Sequence, residues 1–291
     1  MEDALLRVRG LCKYYKKFTL REINMALPVG YIMGYVGANG AGKTTTLNAV
    51  SGLLKPDAGE VTVDGLSMKN DPVAYKRQIA YIGDSSYFPG DLHRNDVCQI
   101  FSDFYADFDK SKYNALADKW EIPQNVPVSK FSRGMAVKLM FAAAFSRASK
   151  LLVLDEATNG LDPVVRREVL ELLQEYICDG EHSVLFSTHI MEDLSGIADF
   201  IFFIDEGEEV FCDTKDAVLE RFVMVKGPAS AFSERDGLIG VKENEFGAAA
   251  IFDLSKGKDI PEGVVTEKAT IDQIVVHTIA DRKRRENCRA V

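Results

Sequence analysis

Short apolar runs alternate with amphipathic helical stretches along most of the chain. The runs at 31–36, 151–154 and 183–187 (YIMGYV, LLVL and SVLFS) lack the apolar–polar alternation of a half-exposed strand. Continuous runs of this kind are typical of parallel strands that are buried on both faces. Because a stretch with helical spacing follows each run, the pattern predicts an α/β protein built on a mostly parallel sheet, with a β-rich N-terminal part.

Residues 86–149 carry helical patterns instead of strand patterns. The segments at 96–108 and 111–122 have helical spacing, and the first is rich in aromatic residues. These aromatic residues are Phe101, Phe104, Tyr105 and Phe108. In the passage KFSRGMAVKL, the hydroxyl of Ser132 is suited to cap a further helix. Many helices begin in this way, so the cap by itself does not indicate a binding site.

The pattern changes near residue 222. Strands are predicted at 221–227 and 247–253, and a short helix is predicted at 269–280. The basic segment DRKRRENCRA at 281–290 is expected to be a solvated chain end. This last part of the chain is predicted to be a small α/β element without an assigned ligand.

Composition narrows the classes of protein that fit. The chain has 291 residues, of which 46% are hydrophobic, and a formal net charge of −9, which argues against a general nucleic-acid binder. Its five scattered cysteines form no CxxC pair and suit a reducing compartment. No apolar signal-peptide region is found at the start, and the apolar runs are too short to span a bilayer. The composition predicts a soluble protein of cytoplasmic type.

A glycine-rich passage after the strand at 31–36 matches the pattern G-x-x-x-x-G-K-[ST]. Its fixed positions are Gly37, Gly42, Lys43 and Thr44. Glycines let backbone N–H groups turn toward phosphate oxygens, and the N-terminus of the next helix adds its positive dipole end. Lys43 supplies a charge to the phosphates, and the Thr44 hydroxyl is suited to bind Mg²⁺. The passage therefore predicts a loop that binds a nucleoside triphosphate.

Two acids follow the apolar run at 151–154, and a histidine follows the run at 183–187. In open α/β sheets, ligands lie at the carboxyl ends of strands, where Asp155 and Glu156 emerge. Asp155 is suited to reach Mg²⁺ through a water, and Glu156 is suited to polarise an attacking water. Such paired acids often form only the first turn of a helix, and a lone histidine is more often structural than catalytic. His189 nevertheless follows the carboxyl end of a predicted strand, so we expect it near the same ligand-binding edge of the sheet as the two acids.

These motifs and their order resemble the ATP-binding subunit of an ABC transporter, over about residues 5–222. The matching segments are the Walker A loop at 37–45, the Walker B strand at 151–156, the D-loop at 159–162, the switch histidine at His189, and FSRGM at 131–135 in place of the ABC signature LSGGQ.

The resemblance implies a fold and a set of contacts. The implied fold is an α/β P-loop NTPase core with an N-terminal antiparallel β part, a helical subdomain at about 86–149 and a small C-terminal α/β extension. In this family two subunits pack head to tail, so Ser132 and the Gly134 backbone of one subunit face the γ-phosphate bound by the other. Tyr15 occupies the position where the family has an aromatic residue that stacks on adenine. The neighbouring Tyr14 is the alternative for this role. The implied ATP contacts are Tyr15, Gly37, Asn39, Gly40, Ala41, Gly42, Lys43, Thr44, Thr45, Ser132 and Gly134.

Two motifs depart from the family pattern. Arg133 and Met135 replace a glycine and the glutamine of the usual signature. Asp84 occupies the strand end where the family often has the glutamine of the Q-loop, as acidic residues do in some bacterial export-type cassettes. The implied Mg²⁺ ligands are Thr44, Asp84 and Asp155, and the implied catalytic residues are Lys43, Glu156 and His189.

The resemblance also implies a function and partners. The expected protein is an ATPase that dimerises around ATP, as a homodimer, and powers export of a peptide, drug or lipid-like cargo. A membrane-spanning subunit on a separate chain would hold it at the cytoplasmic face of the cell membrane, and no nucleic acid is expected as a partner. The cassette is expected at 1–222 and an accessory region with a basic tail at 223–291.

Other functions fit the sequence less well. An ABC ATPase of translation or repair would carry two cassettes or long coiled-coil insertions, and this chain shows one P-loop and no sustained heptads. A GTPase or small-molecule kinase would lack the signature helix, and the guanine-reading motif NKxD is absent. An inactive binding module conflicts with the presence of Lys43, Glu156 and His189.

Overall fold

A computed structural model describes residues 4–232, 236–256 and 259–289, and these residues form two sheets. The strands of the larger sheet are β1 (Ala4–Tyr14), β2 (Thr19–Pro28), β3 (Ile32–Val36), β4 (Ala58–Val63), β5 (Leu66–Ser67), β6 (Ile79–Ile82), β7 (Leu151–Asp155), β8 (Ser183–Ser187), β9 (Phe200–Asp205) and β10 (Glu208–Thr214). The strands of the smaller sheet are β11 (Phe222–Gly227), β12 (Leu238–Asn244), β13 (Gly247–Asp253) and β14 (Val265–Lys268).

The α-helices of the described residues lie between and around these strands. They are α1 (Lys43–Val50), α2 (Pro72–Arg77), α3 (Arg94–Phe104), α4 (Lys110–Lys119), α5 (Arg133–Phe145), α6 (Pro163–Ile177), α7 (Met191–Ile197), α8 (Lys215–Arg221) and α9 (Ile271–Arg289). In this part of the chain no helix has both the length and the apolar content needed to cross a bilayer.

The larger sheet has a parallel part and an antiparallel part. Strands β6, β7, β8, β3 and β9 are neighbours in this order and pair in parallel. Strands β1, β2, β4 and β5 pair antiparallel, and β10 joins the two parts by pairing with β9 and β2. Strands β3, β7 and β8 are buried along their whole length. The predicted mostly parallel core with an N-terminal antiparallel part is therefore confirmed.

The register of the parallel strands aligns their carboxyl ends. Asp155 at the end of β7 lies opposite Ser187 at the end of β8, and Tyr35 near the end of β3 also lies opposite Ser187. Because all three strands run in the same direction, the loops that follow them emerge at one edge of the sheet. The glycine-rich loop, the two acids and His189 belong to these loops.

The helical part packs around its own small core, which includes Val97, Tyr113 and Leu139. Here the predicted first helix is too long, because α3 ends at Phe104 and the next residue, Tyr105, is extended. This break turns the chain so that the ring of Phe108 packs 5.6 Å from that of Phe101. Phe101, Tyr105 and Phe108 thus pack together across the break in the helix, whereas Phe104 is exposed.

The C-terminal part forms the smaller sheet and α9. The predicted strands agree with β11 and β13, whereas β12 and β14 were not predicted. The predicted end of the last helix is wrong, because α9 continues to Arg289, so the segment at 281–289 is helical and not a free chain end. Position 290 lies outside the described residues. Ion pairs of Asp281 with Arg285, one turn further along, and of Arg282 with Asp205 stabilise this extension.

One hydrophobic core joins the C-terminal part to the larger sheet. Phe222 and Met224 of β11 and Ile274 of α9 belong to the same buried cluster as Leu154 and Val184 of the parallel strands. The C-terminal part is therefore packed directly against the larger sheet through apolar side chains.

Candidate functional site

The glycine-rich loop connects β3 to α1 and depends on two glycines. Gly42 has a φ of 110° directly before the helix, a left-handed conformation that residues with a side chain rarely adopt. A Cβ on Gly37 would overlap the carbonyl oxygen of Ile204 on the neighbouring strand β9. These two glycines let the loop stay close to β9 and still enter α1 at Lys43.

Lys43 is the first residue of α1 and is buried. Its Nζ donates to the carbonyl oxygens of Gly37 at 2.9 Å and Ala38 at 3.2 Å. Burial lowers the pKa of Lys43, and the carboxylates of Glu156 and Asp155 oppose this shift. The side chain is therefore folded over the loop, with its charge close to two acids.

A cleft of about 370 Å³ lies beside the loop. It is lined by Phe18, Asn39, Gly40, Gly42, Lys43, Thr44, Thr45 and Glu156. A lysine, glycine-rich backbone and the N-terminus of a helix meet here, and each of them attracts phosphate oxygens. The cleft thus brings together most of the residues that were predicted to contact the phosphates.

Asp155 and Glu156 have different environments at the end of β7. Asp155 is buried, and its carboxylate accepts hydrogen bonds from the hydroxyls of Ser187 at 2.8 Å and Tyr81 at 3.5 Å. Glu156 has a φ of 54°, which is uncommon for a residue with a side chain. Its N–H donates to the carbonyl oxygen of Ser187 at 3.0 Å, which holds this turn. Asp155 is thus fixed among hydroxyls, whereas Glu156 reaches the cleft.

Three polar side chains surround the Glu156 carboxylate. Asn159 Nδ2 donates to Oε2 at 2.6 Å, Lys43 Nζ lies 3.9 Å from Oε1, and His189 Nδ1 lies 3.9 Å from Oε2. A carboxylate oriented by an amide, with an imidazole beside it, has the geometry needed to orient a water molecule. The structure therefore brings Lys43, Glu156 and His189 together.

Arg133 connects three loops around the site. Its guanidinium donates to the carbonyl oxygen of Asp84 at 2.7 Å. The same group lies over Gly160, where a Cβ would be 3.4 Å from Nε. Burial raises the pKa of Tyr81, and the negative charges of Asp155 and Asp84 raise it further. The arginine that departs from the usual signature thus has specific partners.

Ser132 caps α5, as predicted, and its Oγ accepts from the N–H of Met135 at 3.2 Å. Ser132 is exposed. Some predicted site residues do not line the P-loop cleft, namely Tyr15, Gly37, Ala41, Asp84, Ser132, Gly134, Asp155 and His189. The capped start of α5 is therefore separate from the cleft of its own chain.

The aromatic residue Phe18 lines the cleft, and Tyr15 lies beside it. The Phe18 ring packs against Gly42, where a Cβ would be 2.8 Å from Cζ. The Tyr15 ring is 6.4 Å from that of Phe18, and its side chain is 47% exposed, compared with 59% for Tyr14. Both tyrosines are accessible, so the stacking role of Tyr15 stays a prediction.

Comparison with known proteins agrees with this geometry. Residues 20–159 match the family model described as ABC transporter. The lantibiotic transport ATP-binding protein SrtF of Streptococcus pyogenes is 31% identical over 70% of this chain and 88% of its own length. The chain belongs to the family of ABC transporter ATP-binding proteins.

Further ABC proteins extend the similarity. The daunorubicin resistance ATP-binding protein DrrA3 of Streptomyces coeruleorubidus is 26% identical over 98% of both chains. A solved structure of an ATP-binding subunit of an ABC transporter matches with a TM-score of 0.68 and 26% identity, over 74% of this chain and 92% of that chain. The similarity to DrrA3 thus includes the C-terminal part.

As an ABC transporter ATP-binding protein, the chain binds and hydrolyses ATP, which confirms the predicted ATPase. Its relatives include ATP-binding proteins named for lantibiotic transport and for daunorubicin resistance. The alternative of an ABC ATPase that acts in translation or repair is not favoured, because these relatives are named for transport or drug resistance.

Four residues that shape this ABC site were not predicted as contacts, namely Phe18, Tyr81, Asn159 and Ser187. Ser187 ends an apolar run as Asp155 does, so aligning the two runs could have paired them. Asn159 lies three residues after Glu156, within reach of its carboxylate. Phe18 and Tyr81 carry no comparable signal, because their partners are distant in sequence.

Proposed function

We propose that two copies of this chain pack head to tail around ATP and power export through a membrane-spanning subunit. One observation carries the proposal: the P-loop cleft contains Lys43 and Glu156, whereas the capped start of α5 at Ser132 is exposed and separate from that cleft. A helix N-terminus with a hydroxyl cap attracts phosphate. In a head-to-tail pair, Ser132 and the Gly134 N–H of one copy contact the γ-phosphate bound by the other.

The chemistry assigned to the cleft is attack of water on the γ-phosphorus of ATP, which yields ADP and phosphate. The contacts proposed for the triphosphate are the backbone of 37–42, the Lys43 ammonium and the hydroxyls of Thr44 and Thr45, while Tyr15 stacks on adenine. Glu156 accepts a hydrogen bond from the water and aims it, because Asn159 holds one of its carboxylate oxygens. His189 lies beside the same oxygen and steadies the charge that develops on the phosphate.

The donors present fit Mg²⁺, which prefers hard oxygen ligands. Asp155 is a buried carboxylate that accepts from two hydroxyls, and Thr44 is an exposed residue in the first turn of α1 that lines the cleft. We assign Thr44, Asp155 and Asp84 as the residues that hold the ion. When bound, Mg²⁺ neutralises phosphate charge. In this assignment Asp84 acts from the outer part of the coordination shell.

The membrane partner is proposed to dock on an apolar groove between the helical part and the sheet. The groove has a volume of about 370 Å³ and is lined in part by Tyr87, Phe101, Tyr105 and Arg147. This position, adjacent to the strand β6 that precedes Asp84, would connect docking with the nucleotide site. The chain would then lie at the cytoplasmic face of the membrane as a homodimer. Residues 1–222 act as the cassette in this proposal and 223–291 as an accessory region.

The cargo is proposed to be a peptide, drug or lipid-like molecule. SrtF is named for lantibiotic transport and DrrA3 for daunorubicin resistance. The first name refers to a peptide antibiotic and the second to a drug, and none of the contacts assigned above involves the cargo. The membrane subunit therefore determines the choice of cargo.

Glu156→Gln is the direct test. The amide keeps the shape of the side chain but cannot accept the water's hydrogen bond in the same way, so ATP hydrolysis should fall by about 100-fold or more while ATP is still bound. Gel filtration with MgATP should then show an accumulated dimer. As a control, Glu171→Gln changes an exposed glutamate of α6 that pairs with Arg167 and should leave hydrolysis unchanged. A Glu156→Gln protein that hydrolyses ATP normally and stays monomeric would contradict the proposal.

A further inference from the structure

The hairpin formed by β9, β10 and the turn between them contacts both ends of the P-loop. The N–H of Gly207 in this turn donates to the carbonyl oxygen of Ala41 at 3.0 Å. At the other end of the loop, Gly37 lies so close to Ile204 that a Cβ would overlap its carbonyl oxygen. A displacement of this turn would therefore strain or break its hydrogen bond to the backbone of the P-loop.

The turn is tight and has an uncommon conformation. Glu206 and Gly207 both have positive φ, at 50° and 79°, and they connect Asp205 to Glu208, which pair across the hairpin. Two successive residues with positive φ are characteristic of the hairpin turns that match the twist of the strands. A left-handed conformation is unfavourable for a glutamate, so contacts on either side of the turn are needed to hold it.

Arg282 of the C-terminal helix α9 provides such contacts on both sides. Its Nε lies 3.1 Å from Asp205 Oδ2, and its Nη2 lies 3.1 Å from Glu208 Oε2. The Asp205 side chain is only 5% exposed, so this charge pair is weakly screened by solvent. Glu208 also accepts from Arg21 at 2.6 Å, and these arginines lower its pKa. One guanidinium thus bridges the two residues that flank the turn.

We propose that Arg282 is a positioning residue through which the C-terminal helix sets the geometry of the P-loop and thereby the affinity for ATP. The connection runs from Arg282 through Asp205 and Glu208 to the turn, and from Gly207 to Ala41. The sequence placed Arg282 in a solvated basic tail, whereas α9 carries it to the larger sheet. This inference rests on the proposed nucleotide site.

The test compares two arginines of the same helix. Arg282→Ala removes the bridge, so the Kd for MgATP and the KM for ATP should rise about 3- to 10-fold, while kcat changes by less than about twofold. Arg285→Ala is the matched control, because Arg285 pairs with Asp281 of its own helix at 2.6 Å. It should leave the Kd at the wild-type value. Arg282→Lys keeps a charge near Asp205 and should give an intermediate Kd.

Circular dichroism and thermal melting identify variants that are merely unfolded. If Arg282→Ala is poorly folded, Glu208→Gln gives the same test from the exposed side of the bridge and should also raise the Kd. A well-folded Arg282→Ala or Glu208→Gln protein with the Kd of the Arg285→Ala control would overturn the inference. Lys43→Ala separates the two proposals: if it binds ATP as tightly as wild type, the nucleotide site itself is wrong.

Discussion

Arg133 and Asp84 depart from the usual family residues, and the structure gives a physical reason for the first. The guanidinium of Arg133 reaches the carbonyl oxygen of Asp84 and lies over Gly160, so the side chain occupies space at the meeting point of three loops. The negative charge of Asp84 contributes to the raised pKa of Tyr81, whose hydroxyl donates to Asp155. Whether the Asp84 carboxylate repels the triphosphate or helps to bind it depends on whether Mg²⁺ lies between them.

Asp84→Asn tests that dependence. A carboxylate about 5 Å from the γ-phosphate would repel it by roughly 1–3 kcal/mol at an effective dielectric of about 20–40, whereas Mg²⁺ between them makes the interaction favourable. The variant should therefore need more Mg²⁺ for half-maximal ATPase activity, and its ATP affinity in EDTA should stay the same or increase. The measurement is a Mg²⁺ titration.

The control for this titration is Asp91→Asn, which removes an exposed carboxylate from the same connection between β6 and α3. It should reproduce the wild-type titration. An Asp84→Asn curve that also overlays the wild-type curve would remove Asp84 from the metal site. Asp84→Gln should retain part of the activity, since glutamine is frequent at this position in the family.

At the scale of elements, α9 shows how tertiary contacts extend a helix. Its first turns bury Ile271, Ile274 and Val275 in the core shared with the larger sheet. Further along, His277 is buried, and its Nδ1 lies 2.6 Å from the carbonyl oxygen of Gly240, which requires a hydrogen on this nitrogen. Burial lowers the pKa of His277 below its usual 6.5. Folding of α9 therefore favours the neutral form of the His277 imidazole.

His277 should make stability depend on pH. In the unfolded chain its pKa is near 6.5, and in the folded chain it is lower, so the unfolded state binds more protons in between. The stabilisation is therefore present above about pH 6.5 and is lost as the pH falls toward the folded pKa. His277→Gln cannot titrate, so its melting temperature should fall less than that of wild type between about pH 7.5 and about pH 5.5. If the melting temperatures of the two proteins fell by the same amount over this pH range, His277 would not have this role.

At the scale of the whole molecule, the proposed dimer would divide the hydrolysis site between two chains. Lys43 and Glu156 belong to the P-loop cleft, and Ser132 belongs to a helix start that this cleft does not include. In a symmetric dimer each copy would supply both halves, so that two equivalent sites form. A substitution carried by only one of the two copies therefore damages one of the two sites and leaves the other intact.

Mixing two inactive variants tests the division. Lys43→Ala disables one half and Ser132→Arg the other, so their heterodimer should contain one intact site. A random mixture should recover about a quarter of the wild-type ATPase activity, since about half of the dimers are mixed and each has one active site of two. Each variant measured alone is the control, and Ser132→Arg should still bind ATP. A mixture no more active than its parents, with heterodimers shown by cross-linking, would contradict a shared site.

Several features of this protein could be predicted from sequence because they depend on local interactions. The glycine pattern of 37–44 specifies the loop through backbone conformation and the helix that follows. The apolar runs specify strands that are buried along their whole length, because no polar residue interrupts the apolar ones in the way that a half-exposed strand requires. Ser132 specifies a helix start through its own hydrogen bond to Met135, three residues away. In each case the signal and the structure it determines lie within a few residues of one another.

Other features were decided only by the tertiary structure. The contacts of Tyr81 with Asp155, of Arg133 with Asp84, and of Arg282 with Asp205 join residues that are 74, 49 and 77 positions apart (155 − 81, 133 − 84 and 282 − 205). No period or motif connects such positions, because each contact depends on the register of strands and on the packing of a distant helix. The basic composition of 281–290 indicated a solvated chain end, yet burial of the apolar face of α9 and the carboxylates of β9 and β10 hold Arg282 beside the turn that supports the P-loop.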